Sequence, residues 1–450
     1  MPVNNPPVSV PLPDSDPGFL KSLANLRENV LLAIPAQALH SPIYTGRTLT
    51  RWHMIMEPAA IRRVLLDRLE DYPKSGVTKA VLGPAIGSSM FVAEGAQWRW
   101  QRRAAAPAFS HRAVTALGPI MSKAAHQAYD SIAAAGPRAV DMAALMIDTT
   151  FDVIADVTFS GDDLLDRRAV HGAIDSYITQ AGRISLLDIL GIPSWVPRPG
   201  RGAALDRLEM TKTAADAAIG RRRARGAGDP PDLLDHLLAG QDPGSGRTMT
   251  TPELRDNLLT FIVAGHETTA QTLAWALYLM GHDPDAQDRA RAEAQQALGG
   301  RIAGADDLGA LPYIRSIIDE TLRLYPAGGL LSRTAQSDDT LCGTQIRRGE
   351  TVMIPVYALG RHRALWENPD AFAPDRFLDR KAIDRYAYLP FGDGPRVCIG
   401  AAFALQEAVI ILATLLSRFR FTAVKGRTPK PKMIITLRPE GGVWMTATPV

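Results

Sequence analysis

The chain has 450 residues, 46% of them apolar, which is ample for a large core, and its 50 basic and 47 acidic residues leave a net charge of only +3. So small and dispersed an excess excludes the electrostatic footprint of a nucleic-acid binder. Its two cysteines, Cys342 and Cys398, exclude a disulfide framework and fit a reducing compartment.

Residues 1–17 are rich in proline and polar side chains and read as an extended strap. No signal peptide is legible, and no apolar run is read as reaching the ~18 residues of a membrane span. Residues 48–55 (TLTRWHMI) read as a strand of a first hairpin, and Pro58 opens a helix through Ile61 to Leu69. The glycine-punctuated stretch 76–95 reads as irregular. Helices follow over 99–109, 113–135 and 142–159. Pro193, Pro197 and Pro199 place a loop over 191–201. The basic run Arg221 to Arg225 suits a helix C-terminus, and 229–250 reads as a polar connection. Thr251-Pro-Glu, with Thr251 as N-cap, starts a long helix that should end near Gly281. After Pro326 short strands are expected around 330–334, 351–355, 419–424 and 443–447. Neither a linker nor an internal repeat divides the chain, so residues 1–450 form one domain, mainly α with a small β-rich region.

Inside the long helix stands Ala264-Gly-His-Glu-Thr-Thr269, polar residues among Leu259, Ile262, Val263 and Leu273. Such local conflicts concentrate at functional sites. Gly265 leaves room for a small molecule against the backbone. The carboxyl of Glu267 beside the hydroxyl of Thr268 can hold water and relay protons, whereas a helix bent by back-bonding threonines is the plainer alternative. His266 reads as a neighbour-facing polar residue. Glu320-Thr-Leu-Arg323 puts an acid and a base on one helix face, a weak signal when alone. Trp98 and Arg102 share a helix face at i,i+4, and a guanidinium fork suits carboxylates.

The most informative segment is Phe391-Gly-Asp-Gly-Pro-Arg-Val-Cys-Ile-Gly400. A thiolate ligand to iron needs an exposed sulfur, amide donors aimed at it and a backbone that turns tightly. Gly392, Gly394 and Gly400 are expected to supply turns at positive φ, and Arg396 places a cation beside the sulfur. The apolar run from Ala401 reads as a helix, so Cys398 lies near a helix N-terminus that favours its anionic form. The alternative is a buried structural cysteine.

Phe391, Gly394, Arg396, Cys398 and Gly400 together resemble the haem-binding loop of the cytochrome P450 family. The resemblance extends from about Trp98 to Leu416 and implies a triangular helical prism around a buried haem b. In it Cys398 is the proximal ligand of the iron, and Glu267 and Thr268 are the catalytic acid–alcohol pair. Trp98, Arg102, Arg333 and Arg396 are implied to hold the haem propionates, with Phe391, Gly400 and Ala264 as further cofactor contacts. Phe91, Phe261, Ala264, Gly329 and Leu330 are implied to touch substrate. Glu320, Arg323 and Arg376, the last within Pro374-Asp-Arg-Phe377, are implied to form a structural brace for the proximal loop.

The implied activity is that of a monooxygenase, an oxidoreductase that hydroxylates a fatty acid or terpenoid-like molecule with O2 and two electrons. Arg103, His111, Arg112, Arg361 and Arg363 are candidates for a basic face that docks a separate ferredoxin or flavodoxin, itself served by an NAD(P)H-dependent reductase. A peroxide-driven peroxygenase and a non-enzymatic thiolate-haem sensor are the rival readings. Arg47 and Arg51 are candidate anchors for a substrate carboxylate. The whole reads as a soluble, bacterial-type, cytoplasmic monomer without an anchor helix.

Overall fold

The computed structural model describes residues 7–14, 18–48, 50–159, 172, 202–229, 231–242 and 244–450. The expected loop over 191–201 and most of the strap's ends lie outside the described residues. From the N-terminus come α1 (Phe19–Glu28), β1 (Ile43–Arg47), β2 (Arg51–Ile55), α2 (Pro58–Arg62), α3 (Gly76–Ile86), α4 (Gly95–Ala105), α5 (His111–Ala116), α6 (Gly118–Ala135), β3 (Val140–Asp141) and α7 (Met142–Phe159). The chain continues with α8 (Gly202–Arg225), α9 (Leu233–Ala239), α10 (Thr251–His282), α11 (Pro284–Leu298), α12 (Pro312–Leu324), β4 (Leu331–Thr334), β5 (Asp339–Leu341), β6 (Thr344–Ile346), β7 (Thr351–Ile354) and α13 (Val356–Leu359). It ends with α14 (Ala401–Arg418), β8 (Phe419–Ala423), β9 (Lys430–Met433), β10 (Leu437–Glu440) and β11 (Trp444–Pro449).

Helix α10 is the axis of the molecule. It starts at a reciprocal cap in which Thr250 accepts from the Glu253 amide while the Glu253 carboxylate accepts from the Thr250 amide at 3.0 Å. The cap is therefore Thr250, one residue before the expected Thr251, because Glu253 then falls at the third helical position that completes the box. In the second half Leu273, Ala274, Trp275, Ala276 and Leu277 are all fully buried. A helix apolar on every side must be central, and α7, α8, α12 and α14 surround it. Trp275 stacks on Tyr325 at 4.0 Å and donates its indole N–H to the Leu437 carbonyl at 3.1 Å, which joins α10 to β10. The described part of the strap lies across this centre: Val10 donates its amide to the Tyr357 hydroxyl, and Tyr325 donates its hydroxyl to the Val8 carbonyl.

One sheet has the order β1-β2-β7-β4. Within it β2 pairs in parallel with β7, Trp52 facing Thr351, and β4 pairs antiparallel, Arg333 facing Val352. A second sheet, β3-β11-β8, and the hairpins β5-β6 and β9-β10 complete the β structure.

Several local expectations are corrected. Residues 76–86 are not irregular but form α3, whose start is capped by Ser75 accepting from Thr78 and whose end is Gly87 at φ 53°. The expected single helix after Pro58 is α2 followed by a wider π-helical turn over Arg63–Asp67 and a 3-10 turn over Leu69–Asp71. The connection 229–250 contains α9, started by a capping box of Asp232 and Asp235 that also grips Arg222 at 2.8 Å from each acid. Contrary to expectation, one apolar stretch does have the length of a membrane span. It is α14, and 72% of that window is buried inside the protein, as befits a core helix.

Candidate active site

The loop before α14 is shaped by two glycines. Gly392 and Gly394 sit at φ 68° and 69°, and a Cβ on Gly394 would lie 2.2 Å from the Leu65 carbonyl oxygen. Gly400 is different: at φ −88° it caps α14 in a conformation open to other residues. Its expected left-handed turn is absent because the loop has already reversed at Gly392 and Gly394. The Cys398 amide donates to the Phe391 carbonyl at 2.9 Å and closes the loop.

Cys398 lies deep in the protein and is open only to a cavity of about 370 Å³ that it lines. Burial of the group pushes its thiol above the ordinary value, while the Gly400 amide and the cations Arg102 and Lys74 oppose that shift. Among the described residues no cluster of three metal-ligating side chains occurs. A lone sulfur suits a metal that arrives with its other ligands already in place, as iron does in haem.

Cations ring the same cavity. Arg333 projects from β4 and is buried. Its Nη1 donates to the Ser332 carbonyl at 3.0 Å, and its Nε has no partner. Burial, with Arg396 nearby, brings its pKa down to about 10. Arg102, one turn beyond Trp98 on α4, is lowered by burial and opposed only by Cys398. Neither arginine has a carboxylate within 4 Å among the described residues. A buried guanidinium without a counter-ion is costly, so this part of the cavity calls for an anion, and the two carboxylates of haem supply it. The residues present therefore fit the group: Cys398 for the iron, Arg102 and Arg333 for the propionates.

Arg396 is more committed than expected. It pairs with Glu94, donates to the Ala93 carbonyl at 3.0 Å, and lies over the Trp98 ring at 4.4 Å. Trp98 thus lines the cavity as the platform for Arg396.

Phe91, Phe261, Ala264, Thr268, Leu330, Phe391 and Gly400 all line the cavity. Gly329 does not. A Cβ there would stand 2.8 Å from the Met433 sulfur, so its role is close packing on β9. Glu267 also departs from expectation. It is buried, absent from the cavity wall, and accepts hydrogen bonds from the Thr436 hydroxyl and Arg438 Nε. The neighbouring Thr268 faces the cavity and donates to the Ala264 carbonyl at 2.7 Å. Successive helical residues diverge by about 100°, so the acid and the alcohol cannot both face one site without a rotation of side chains. His266 is buried against Phe151 and bonded to the Ile262 carbonyl.

Away from the cavity, Arg323 donates to both oxygens of Glu320 at 2.7 Å, and its other hydrogens go to the carbonyls of Gly360, Pro369 and Ala371. Arg376 adds a longer contact to Glu320 at 3.4 Å. The brace fastens α12 to the irregular segment that leads toward the cysteine loop. Three of the five basic candidates are not free surface charges. Arg361 is buried, donates to the Leu324 carbonyl and stacks on Tyr357, and Arg363 pairs with Asp370. Arg103 pairs with Asp242, whereas His111 and Arg112 are exposed at the start of α5. Arg51 is held by Glu350 and the Gln345 carbonyl, and neither it nor Arg47 lines the cavity.

Sequence reasoning missed Lys74, which lines the cavity with its ammonium 3.4 Å above the Phe91 ring and 2.6 Å from the Phe91 carbonyl. It also missed Glu94, the acid behind Arg396, and Glu407, a wholly buried carboxyl on α14 whose oxygens have no partner. No spacing signal marks any of the three.

A single cysteine sulfur at a helix start, facing a cation-ringed cavity beneath a long polar-notched helix, defines a haem-thiolate protein. The chain belongs to the cytochrome P450 family, whose model, "Cytochrome P450", matches residues 35–445. It is similar to cyclooctatin synthase of Streptomyces melanosporofaciens, 32% identical over 391 residues that cover 85% of this chain and 83% of that protein. Cyclooctat-9-en-7-ol 5-monooxygenase of the same organism is 33% identical, covering 84% and 82%. The crystal structure of the cytochrome P450DA heme domain superposes with a TM-score of 0.80 at 26% identity, covering 91% of this chain and 90% of that one. The protein is accordingly an oxidoreductase with haem as its cofactor, a P450 monooxygenase of mainly helical fold.

Proposed function

We propose that this monooxygenase hydroxylates a neutral, terpenoid-like molecule, and that a separate ferredoxin or flavodoxin supplies its electrons. The observation that carries the substrate reading is the character of the distal wall. Phe91, Phe109, Phe261, Ile154 and Leu330 line it, while neither Arg47 nor Arg51 does, and Arg51 is held by Glu350 and the Gln345 carbonyl. Lys74, the remaining cation near Phe91, is held by that residue's ring and carbonyl. Such a pocket holds its guest by shape. Among the relatives, cyclooctat-9-en-7-ol 5-monooxygenase and the carotene epsilon-monooxygenase of Arabidopsis thaliana, 30% identical over 437 residues, carry terpenoid names.

When bound, the thiolate-haem supplies the activation of O2 that places one oxygen atom on an unactivated carbon. The chain's own residues do the rest. Cys398 would hold the iron, and Arg102 and Arg333 would neutralise the propionates. Ala264 leaves a gap beside the helix, and Phe91 and Phe261 exclude water. Thr268 holds a proton on the Ala264 carbonyl and can turn it toward the cavity. Glu267 joins only after leaving Arg438 and Thr436. The exposed His111 and Arg112 belong to the face on which an acidic electron donor would dock.

A haem-absorbance titration of the purified protein tests it, with straight-chain fatty acids against compact terpenoids. Saturable low- to high-spin shifts with terpenoids are expected, and shifts with fatty acids alone would sink the substrate reading. Turnover with hydrogen peroxide but not with NAD(P)H and a ferredoxin system would instead establish the peroxygenase.

A further inference from the structure

Helix α10 contains Thr251, Thr260, Thr268, Thr269 and Thr272. Thr251 lies in the first turn, and every other threonine of the helix lines the cavity. Valine would fill the same volume there without a polar atom to satisfy, so packing does not account for the four hydroxyls. Each spends its proton on the carbonyl four residues earlier: Thr260 on Asp256 at 2.7 Å, Thr268 on Ala264 at 2.7 Å, Thr269 on Gly265 at 3.2 Å and Thr272 on Thr268 at 2.8 Å. A hydroxyl that donates to the backbone keeps only lone pairs for a guest. This wall accepts hydrogen bonds and does not offer them.

The chemical consequence is selective. A carboxylate or ketone brings further acceptors and finds no donor on α10. A hydrocarbon covers the threonine oxygens, which keep their bonds to the backbone, and offers their lone pairs no donor. An alcohol brings the donor that is missing. Thr268 stands at the reacting end, beside Ala264. Thr260 is eight residues upstream, about 12 Å along the axis at 1.5 Å per residue, on a wall shared with Phe261 and with Leu233 of α9.

We infer that the substrate is an alcohol, and that Thr260 is a specificity-determining residue that accepts a hydrogen bond from its hydroxyl. This rests on the terpenoid reading above and narrows it. The hydroxyl sits at the far end of a C15 to C20 skeleton, on the order of 12 Å from the carbon oxidised near Thr268. The enzyme is thereby a later oxidation step. An earlier hydroxylation, or a cyclisation that ends with capture of water by a carbocation, must supply its alcohol, and its product is a diol.

Four compounds on one tricyclic skeleton test the inference by haem-absorbance titration of the holoenzyme: abietadiene, abietadienol, abietadienol methyl ether and abietic acid. Abietadienol should bind roughly tenfold more tightly than its methyl ether, which keeps the oxygen and loses the donor. Thr260→Val should erase that preference while leaving abietadiene affinity within about twofold, and Thr260→Ser should keep the preference. Equal affinities for alcohol and ether, or a preference that survives in Thr260→Val, would overturn the inference and leave the terpenoid reading standing. Absence of binding by all four, with fatty acids still bound, would overturn both.

Discussion

Replacing Glu407 by glutamine should abolish the pH dependence of stability that this one carboxyl imposes. The residue sits on α14 with 1% of its surface exposed, and neither oxygen has a hydrogen-bond partner. Burial pushes its pKa well above the ordinary 4.5, and the nearby Thr269 hydroxyl, which makes no full hydrogen bond to the carboxyl, opposes that only in part. An acid whose folded pKa exceeds its unfolded value contributes stability that is fully present below about pH 4.5. That contribution is lost as the pH rises toward the folded pKa, because the unfolded chain releases a proton that the folded chain retains. The slope is about 1.4 kcal/mol per pH unit. Glutamine has nearly the same shape and no charge, so it removes the slope. Its buried amide adds a penalty of about 1–3 kcal/mol that does not vary with pH. Urea unfolding of holoprotein pairs between pH 5 and 8 measures the difference. The variant should gain on the wild type by about 1.4 kcal/mol per unit over each unit in which the folded protein keeps its proton. Parallel profiles would refute the reasoning, since they would mean that Glu407 ionises as readily inside the protein as in the unfolded chain.

The brace offers a second test: Glu320→Gln leaves Arg323 buried without its counter-ion and should cost about 3–5 kcal/mol, whereas Arg376→Gln should cost far less; equal losses in urea titrations would contradict the geometry. Because Glu267 is tied to β10, Glu267→Gln should lower stability by about 1–3 kcal/mol and reduce turnover less than Thr268→Ala does. Normal stability with the larger loss of turnover would return Glu267 to direct proton delivery. Arg333→Leu should weaken haem retention about tenfold or more, as expected for a charge-assisted bond; transfer of haem to apomyoglobin at an unchanged rate would remove Arg333 from the cofactor site.

What could be read from the chain was what depends on near neighbours in sequence. The cysteine loop, the start of α10 and the Glu320–Arg323 pair are each specified within a few residues: the pair has the expected form, the helix starts one residue early at Thr250, and the loop turns at Gly392 and Gly394 but not at Gly400. Side-chain direction was not legible. Glu267 points to Thr436 and Arg438, partners brought close only by the β9–β10 hairpin, and Pro431 and Pro439, which face one another in it, hide its short strands because proline argues against a strand. Arg361 reads as a surface base but is covered by Tyr357, a neighbour one helical turn away whose ring the sequence could not orient. Helix α3 was hidden by its glycines, which stand at its ends, at Gly76 and just beyond Ile86, more than inside it.

The parallel pairing of β2 with β7 governs the order in which the molecule can be made. Trp52 leaves the ribosome long before its partner Thr351, and Cys398 emerges later still. The first hairpin must wait with one edge open while most of the chain emerges, and a waiting edge is where misassembly begins. Strand β4, which carries Arg333, completes its pairing only with β7. Strand β4 and the cysteine loop therefore reach their final form only late in synthesis, and a haem held by Arg333 and Cys398 would be captured after both have emerged.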